Sequence, residues 1–305
     1  MNHIDIGEIL NGSWRAIARA ISAVENGEDE AFKIMDKIYS STGRAYRIGV
    51  TGPPGVGKST LVDKMSILFR KRDLTIGIIA VDPTSPFSGG ALLGDRIRMS
   101  DLTVDGGVFI RSMASRGSMG GLARSAQEAA DIMDAGGMDI VIFETVGVGQ
   151  SELEIAQTAD TTIVVLVPES GDEIQAMKAG LMEIADFFVL NKSDREGAER
   201  AYFELQSIFE LKERVDGGWS PFIIKTVAET GAGVETVVDS IEKHRSYMLN
   251  RGKLGVKRRR RLEKRIKSLI EERVLENFWT PARIDHLENY LKNFPQGSLS
   301  PYELV

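Results

Sequence analysis

Lys58 and Ser59 close the run Gly52-Pro53-Pro54-Gly55-Val56-Gly57-Lys58-Ser59-Thr60, which has the G-x-x-x-x-G-K-[ST] spacing of a phosphate-binding loop. Glycines at these positions let successive backbone N–H groups turn toward a phosphate, and the dipole of a following helix adds to the attraction. The Lys58 amine can then reach β- and γ-phosphates, and the Ser59 hydroxyl can ligate Mg²⁺. The context agrees: the run follows the strand-like "YRIGV" and precedes the amphipathic "STLVDKMSILF".

A second group of residues bears on the base. "NKSD", Asn191 to Asp194, ends the apolar run "FFVL" about 130 residues after the loop. A carboxylate at Asp194 accepts from guanine N1–H and from its 2-amino group, whereas adenine would leave that carboxylate unpaired, at a cost of about 1–3 kcal/mol or more. Asn191 and Lys192 are expected to steady the loop, the lysine stem lying along the base plane. Thr226, Val227 and Ala228, from "TVAETGAG", could close over the base. The expected ligands are therefore GTP and GDP with Mg²⁺.

Further carboxylates sit where a cation would be held. Glu144 and Gly147, in "ETVGVGQSE", stand where guanine-nucleotide switches usually carry Asp-x-x-Gly, and the longer Glu favours a water-mediated metal contact. Asp82 and Asp95, in "VDPTSPFSGGALLGDRIRM", add two more oxygen ligands, so Ser59, Asp82, Asp95 and Glu144 form the expected metal set. Lys58 and Glu144 are the residues expected to act in catalysis. No water-orienting side chain directly follows Gly147: Val148 is apolar and Gln150 comes three later. Slow intrinsic hydrolysis, completed by a partner or second subunit, is the expectation. Arg96, Arg98, Arg111 and Arg116 are candidates for stabilising transition-state charge, but ion pairing or phosphate steering suits most of them better, and none is expected to be catalytic.

These residues need a scaffold that brings distant loops together. Seven short apolar runs alternate with helix-length stretches: "YRIGVTG", "LTIGIIAVD", "GGVFIRSM", "DIVIFETVG", "TTIVVLVPE", "FFVLNKSD" and "PFIIKTVAE". That pattern predicts an α/β fold with a mainly parallel sheet covered on both faces. Such sheets bind ligands at the carboxyl ends of their strands, where all these motifs lie. Residues 5–40 read as helical with a break at Asn26-Gly27, and residues 253–278 and 281–294 read as two further helices, Pro281 falling in a first turn. Three regions follow: 1–43 helical, 44–250 the nucleotide domain, 251–305 a helical arm.

Composition narrows the function classes. The 305 residues hold no cysteine, which excludes disulfides, zinc fingers, Fe–S clusters and thiol chemistry. There is no apolar run of the roughly 20 residues that span a bilayer and no signal-peptide pattern, so a cytoplasmic protein is expected. The net charge of −6 is uneven: from Arg251 onward 13 Lys and Arg face 7 Asp and Glu. The basic run Lys257 to Arg261 leads into a helical pattern and reads as a solvated face, so neither nucleic acid nor membrane is an expected partner.

Taken together, "GPPGVGKST", "VDPTSPFSGGALLGDRIRM", "RSMASRGSMGGLA", "ETVGVGQSE", "VVLVPESGDEIQAMKAG" and "NKSD" resemble the MeaB/ArgK/MMAA family, over about residues 40–250. The resemblance implies a P-loop GTPase of the SIMIBI class, three-layered, with a C-terminal dimerisation arm. It also implies a homodimer that serves an adenosylcobalamin-dependent acyl-CoA mutase such as methylmalonyl-CoA mutase, coupling GTP hydrolysis to cofactor loading, protection and reactivation. Lys58, Ser59, Asp82, Asp95, Glu144, Asn191, Lys192 and Asp194 match the family's motif positions, and Pro168 to Lys178 matches an additional switch that signals to the mutase. Pro53-Pro54 replace the signature lysine of some SIMIBI relatives, so no cross-subunit lysine is implied.

Two other readings share the motifs. A nickel metallochaperone GTPase would need Cys or clustered His, and this chain has only His3, His244 and His286. A transport accessory ATPase or kinase, a label attached to arginine/ornithine transport relatives, would need a site that accepts adenine.

Overall fold

The computed structural model describes residues 4–82, 105–114, 121–145, 157–169, 181–210 and 218–292. All seven apolar runs are strands: β1 Tyr46–Thr51, β2 Ile76–Asp82, β3 Val108–Ala114, β4 Ile140–Thr145, β5 Thr161–Leu166, β6 Phe187–Leu190 and β7 Ile223–Lys225. They form one sheet in the order β3-β2-β4-β1-β5-β6-β7, and every neighbouring pair is parallel. The expectation of a mainly parallel sheet thus becomes, among the described residues, a wholly parallel one. Every residue of β1, β4, β5 and β6 is buried, which is why these strands read as continuous apolar runs rather than alternating ones. Chain order reverses at β1, where a doubly wound sheet opens its ligand crevice.

Helices cover both faces. On one side α4 (Lys58–Arg70) and α8 (Val234–Asn250) pack Leu61, Val62, Met65, Val237 and Ile241 against Ile48, Val50, Ile142 and Ile163. On the other, α5 (Gly121–Ala135) and α7 (Ala198–Glu210) lie over the sheet, Ala201 and Leu205 of α7 meeting Val164 and Phe188; the four-residue α6 (Leu181–Ile184) leads into β6.

The N-terminal helices join that second layer. They are α1 (Ile6–Leu10), α2 (Trp14–Asn26) and α3 (Asp29–Ile38). Ile17 and Ile21 of α2 share a core with Ala126, Ala130 and Met133 of α5 and with Phe143 of β4. Gly27, in the left-handed conformation, caps α2 at the predicted break. A second break, at Asn11-Gly12, was not legible because α1 is only five residues long.

Below the site, β1 is anchored by buried charge. Arg47 pairs with Asp131, whose neighbour in the core, Asp134, accepts the backbone N–H groups of Gly43 at 2.6 Å, Arg44 at 3.1 Å and Ala45 at 3.0 Å. The connection into β1 is therefore pinned to α5 before the phosphate loop begins.

The chain divides into two compact units, 1–254 and 255–305. Beyond residue 254 run most of α9 (Lys253–Phe278) and all of α10 (Pro281–Lys292), and Pro281 opens α10 as the sequence predicts. Leu262, Ile266, Ile270, Val274, Leu275 and Phe278 of α9 are exposed.

Candidate nucleotide-binding site

The loop between β1 and α4 turns on three glycines with positive φ: Gly52 (138°), Gly55 (78°) and Gly57 (93°). Two of them also leave no room for a side chain. A Cβ on Gly52 would stand 2.1 Å from the backbone oxygen of Val165 in β5, and one on Gly57 would stand 2.5 Å from Asn191 Nδ2. Gly52→Ala is therefore expected to cost more than about 2 kcal/mol of folding stability, since backbone cannot yield as a flexible side chain can. Thermal unfolding with and without GDP measures this; a melting temperature within experimental error of the parent would contradict it.

Lys58 heads α4 and is buried, and its Nζ donates to the carbonyls of Gly52 and Pro53, each at 2.7 Å. It is thus held over the loop it is expected to serve. Ser59 donates its hydroxyl proton to the Glu144 carboxylate. Parallel register explains the meeting: Val50, near the end of β1, pairs with Glu144 near the end of β4. One residue farther on, the buried Thr145 and Thr51 hydroxyls hydrogen-bond at 3.0 Å and fix the two strand ends together.

The base-side loops are joined by Asn191. Its Nδ2 donates to Val56 O at 2.8 Å, and its Oδ1 accepts from Thr226 Oγ1 at 3.0 Å and from Ala228 N at 2.9 Å. One buried amide thus links the phosphate loop, the β6 exit and the β7 exit, as a residue that steadies the loop must. Lys192 adopts φ 55° and its Nζ donates to Gly55 O at 2.7 Å, fastening the same two loops at the rim. Beyond it, Val227 N donates to Ala232 O at 2.9 Å and closes a small loop beside Asn191. Asp194 is exposed at the edge of this group.

Of the expected residues, the structure brings together Gly52 to Ser59, Glu144, Asn191, Lys192, Thr226 and Ala228. Asp82 is the last residue of β2, and only its backbone is described. Asp95 and Gly147 lie outside the described residues, as do Arg96, Arg98, Arg116, Gln150 and positions 170–178 of the Pro168 to Lys178 segment. Among the described residues no group of three or more His, Asp or Glu converges on a point, so Ser59 and Glu144 are the described part of the expected cation set. Arg111 is taken up elsewhere: it pairs with Glu25 and donates to Ser22 Oγ at 3.0 Å, both on α2. His244 is buried between Thr161, at 2.7 Å, and Asp186.

Two contributors were not foreseen. Ser193 accepts from Thr226 N at 3.1 Å and donates to Leu190 O at 2.6 Å, sewing the β6 and β7 exits together. The Thr51–Thr145 pair does the same for β1 and β4. A hydroxyl residue at a strand's carboxyl end beside a functional motif is the signal that could have found them.

Comparison with known proteins bears directly on this site. The family model described as "Methylmalonyl Co-A mutase-associated GTPase MeaB" matches residues 17–283. A Pyrococcus horikoshii protein named as a GTPase is 49% identical over 299 residues, which cover 97% of this chain and 94% of the relative. "GTPase ArgK" of Escherichia coli is 33% identical over 97% of this chain and 92% of its own length. The mitochondrial "Methylmalonic aciduria type A homolog" of Mus musculus is 37% identical over 84% of this chain and 63% of its own length. Among solved structures, that of a "LAO/AO transport system kinase" superposes with a TM-score of 0.75 at 28% identity, covering 98% of this chain and 93% of the other.

Proposed function

Because this chain belongs to the MeaB family of methylmalonyl-CoA mutase-associated GTPases, we propose that it binds GTP with Mg²⁺, hydrolyses it to GDP and phosphate, and uses that cycle as a chaperone. Its client is an adenosylcobalamin-dependent acyl-CoA mutase such as methylmalonyl-CoA mutase, whose cofactor it helps to load, protect and reactivate. The observation that carries the nucleotide reading is the Asn191 amide, which holds the phosphate loop and both base-side loops in one frame.

In this reading the backbone N–H groups from Gly52 to Thr60 cradle the phosphates, and Lys58 exchanges its two carbonyl partners for β- and γ-phosphate oxygens. Asp194 takes guanine N1–H and the 2-amino group, while Thr226, Val227 and Ala228 close over the base. Ser59 and Glu144 fit a cation site, since a hydroxyl and a carboxylate already in contact are hard oxygen donors. Asp82 and Asp95 complete that site, where Mg²⁺ would neutralise charge developing on the phosphates, while Gly147 offers its backbone amide to the γ-phosphate. Residues 1–43 and 44–250 act as one nucleotide module, and 251–305 as the arm through which two chains pair. The exposed apolar residues of α9 support that pairing.

Calorimetric titration with GDP and with ADP, each in Mg²⁺ and in EDTA, tests the nucleotide and metal assignments. Tight, Mg²⁺-strengthened GDP binding beside negligible ADP binding is expected. Equal affinity for the two nucleotides would favour a transport accessory ATPase or kinase; the solved relative is called a "LAO/AO transport system kinase".

A further inference from the structure

A cluster of charges surrounds Asp194, and one ion pair decides how it is arranged. Arg195, the next residue, donates from Nη1 to Glu169 Oε1 at 2.7 Å. Glu169 lies just beyond β5, and its neighbour Pro168 opens the segment matched to a switch. The Arg195 guanidinium also feels Asp194 and Glu229, and Lys192 acts on Glu169. Two cations thus share three carboxylates, one each from the exits of β5, β6 and β7.

This arrangement sets up a competition. A guanidinium carries five N–H donors in a fork that matches a carboxylate, so Arg195 is a rival for the same two oxygens that a guanine would need. We infer that Glu169 is a positioning residue for guanine recognition: by engaging Arg195 it keeps the guanidinium off Asp194 and leaves that carboxylate to the base. The inference rests on the reading of Asp194 as the base-binding residue. The hydrogen bond from Arg195 holds the Glu169 carboxyl below its ordinary range. Both partners are about half exposed, 50% for Arg195 and 53% for Glu169, so water screens the pair and its effect is graded rather than all-or-none.

GDP affinity of the full chain, measured by calorimetry at about 0.05 M and about 0.5 M KCl, tests this. Glu169→Gln is expected to weaken GDP binding about two- to fivefold at low salt and by less at high salt. Adding Arg195→Gln to that variant is expected to restore the parent affinity, a rescue that a merely structural role for Glu169 would not produce. An unchanged affinity in Glu169→Gln, or a loss that persists in the double variant, overturns the inference. Asp194→Asn, run in parallel, separates the two layers. If it collapses GDP binding while Glu169→Gln changes nothing, this inference alone fails; if it leaves GDP binding intact, the base reading beneath it fails.

Discussion

Replacing Asp194 by Asn is expected to weaken GDP binding by about a hundredfold or more while raising affinity for xanthosine diphosphate. The carboxylate is purely an acceptor and meets two N–H donors on the guanine edge, N1–H and the 2-amino group. An amide keeps one acceptor and presents two donors, so one of the two guanine contacts becomes donor against donor. Xanthine carries a carbonyl where guanine carries the amino group, and that carbonyl is what an amide donor can satisfy. The exchange needs the surrounding frame intact, and here the frame is independent of Asp194: Asn191, Lys192 and Ser193 hold the loop through contacts of their own. Titrating parent and variant with GDP and xanthosine diphosphate gives the answer. A variant weakened equally toward both would mean that the substitution damaged the loop rather than the base contact.

Lys58→Ala is expected to lower GTP turnover about 10²–10³-fold, the loss usual when one preorganised charge is removed from a transition state. Burial in a pocket of backbone carbonyls makes Nζ a fixed charge rather than a wandering one, so little reorganisation remains when phosphates arrive. Lys58→Arg should not rescue the rate. The planar guanidinium cannot point a single compact charge between the Gly52 and Pro53 oxygens, and the close approach of Val165 to Gly52 leaves the loop little freedom to widen. Phosphate release at saturating GTP measures both variants. Turnover above a tenth of the parent rate in Lys58→Ala would remove Lys58 from the chemistry.

What could be read from the chain, and what could not, follows from the range of the interactions. The strands were legible because burial on both faces writes them as unbroken runs such as "VIF" and "TIVVL". The phosphate loop and "NKSD" were legible because their spacing is local. The amide of Asn191 was foreseen as a stabiliser but not as the tie between Val56, Thr226 and Ala228, partners spread from 35 to 135 residues away in sequence. Register decides the rest. That Ser59 meets Glu144, that Thr51 meets Thr145 and that Gly52 passes under Val165 depend on which strands flank β1, and strand order is set by crossovers that no short window contains. The Glu169–Arg195 pair was hidden for the same reason, since it joins the exits of two adjacent strands 26 residues apart. The helix break at Gly12 was lost because a five-residue helix carries less than two turns of pattern.

The client assignment is the central claim, and one assay addresses it most directly. GTP turnover of this chain would be measured alone and with purified methylmalonyl-CoA mutase from the same organism, with and without adenosylcobalamin. The predicted result is a turnover that rises on adding the mutase and changes again with the state of its cofactor, together with a complex whose stability depends on whether GTP or GDP is bound. Turnover unaffected by the mutase in every nucleotide and cofactor state, with no complex detected, would contradict the account and leave a guanine-nucleotide switch serving another partner.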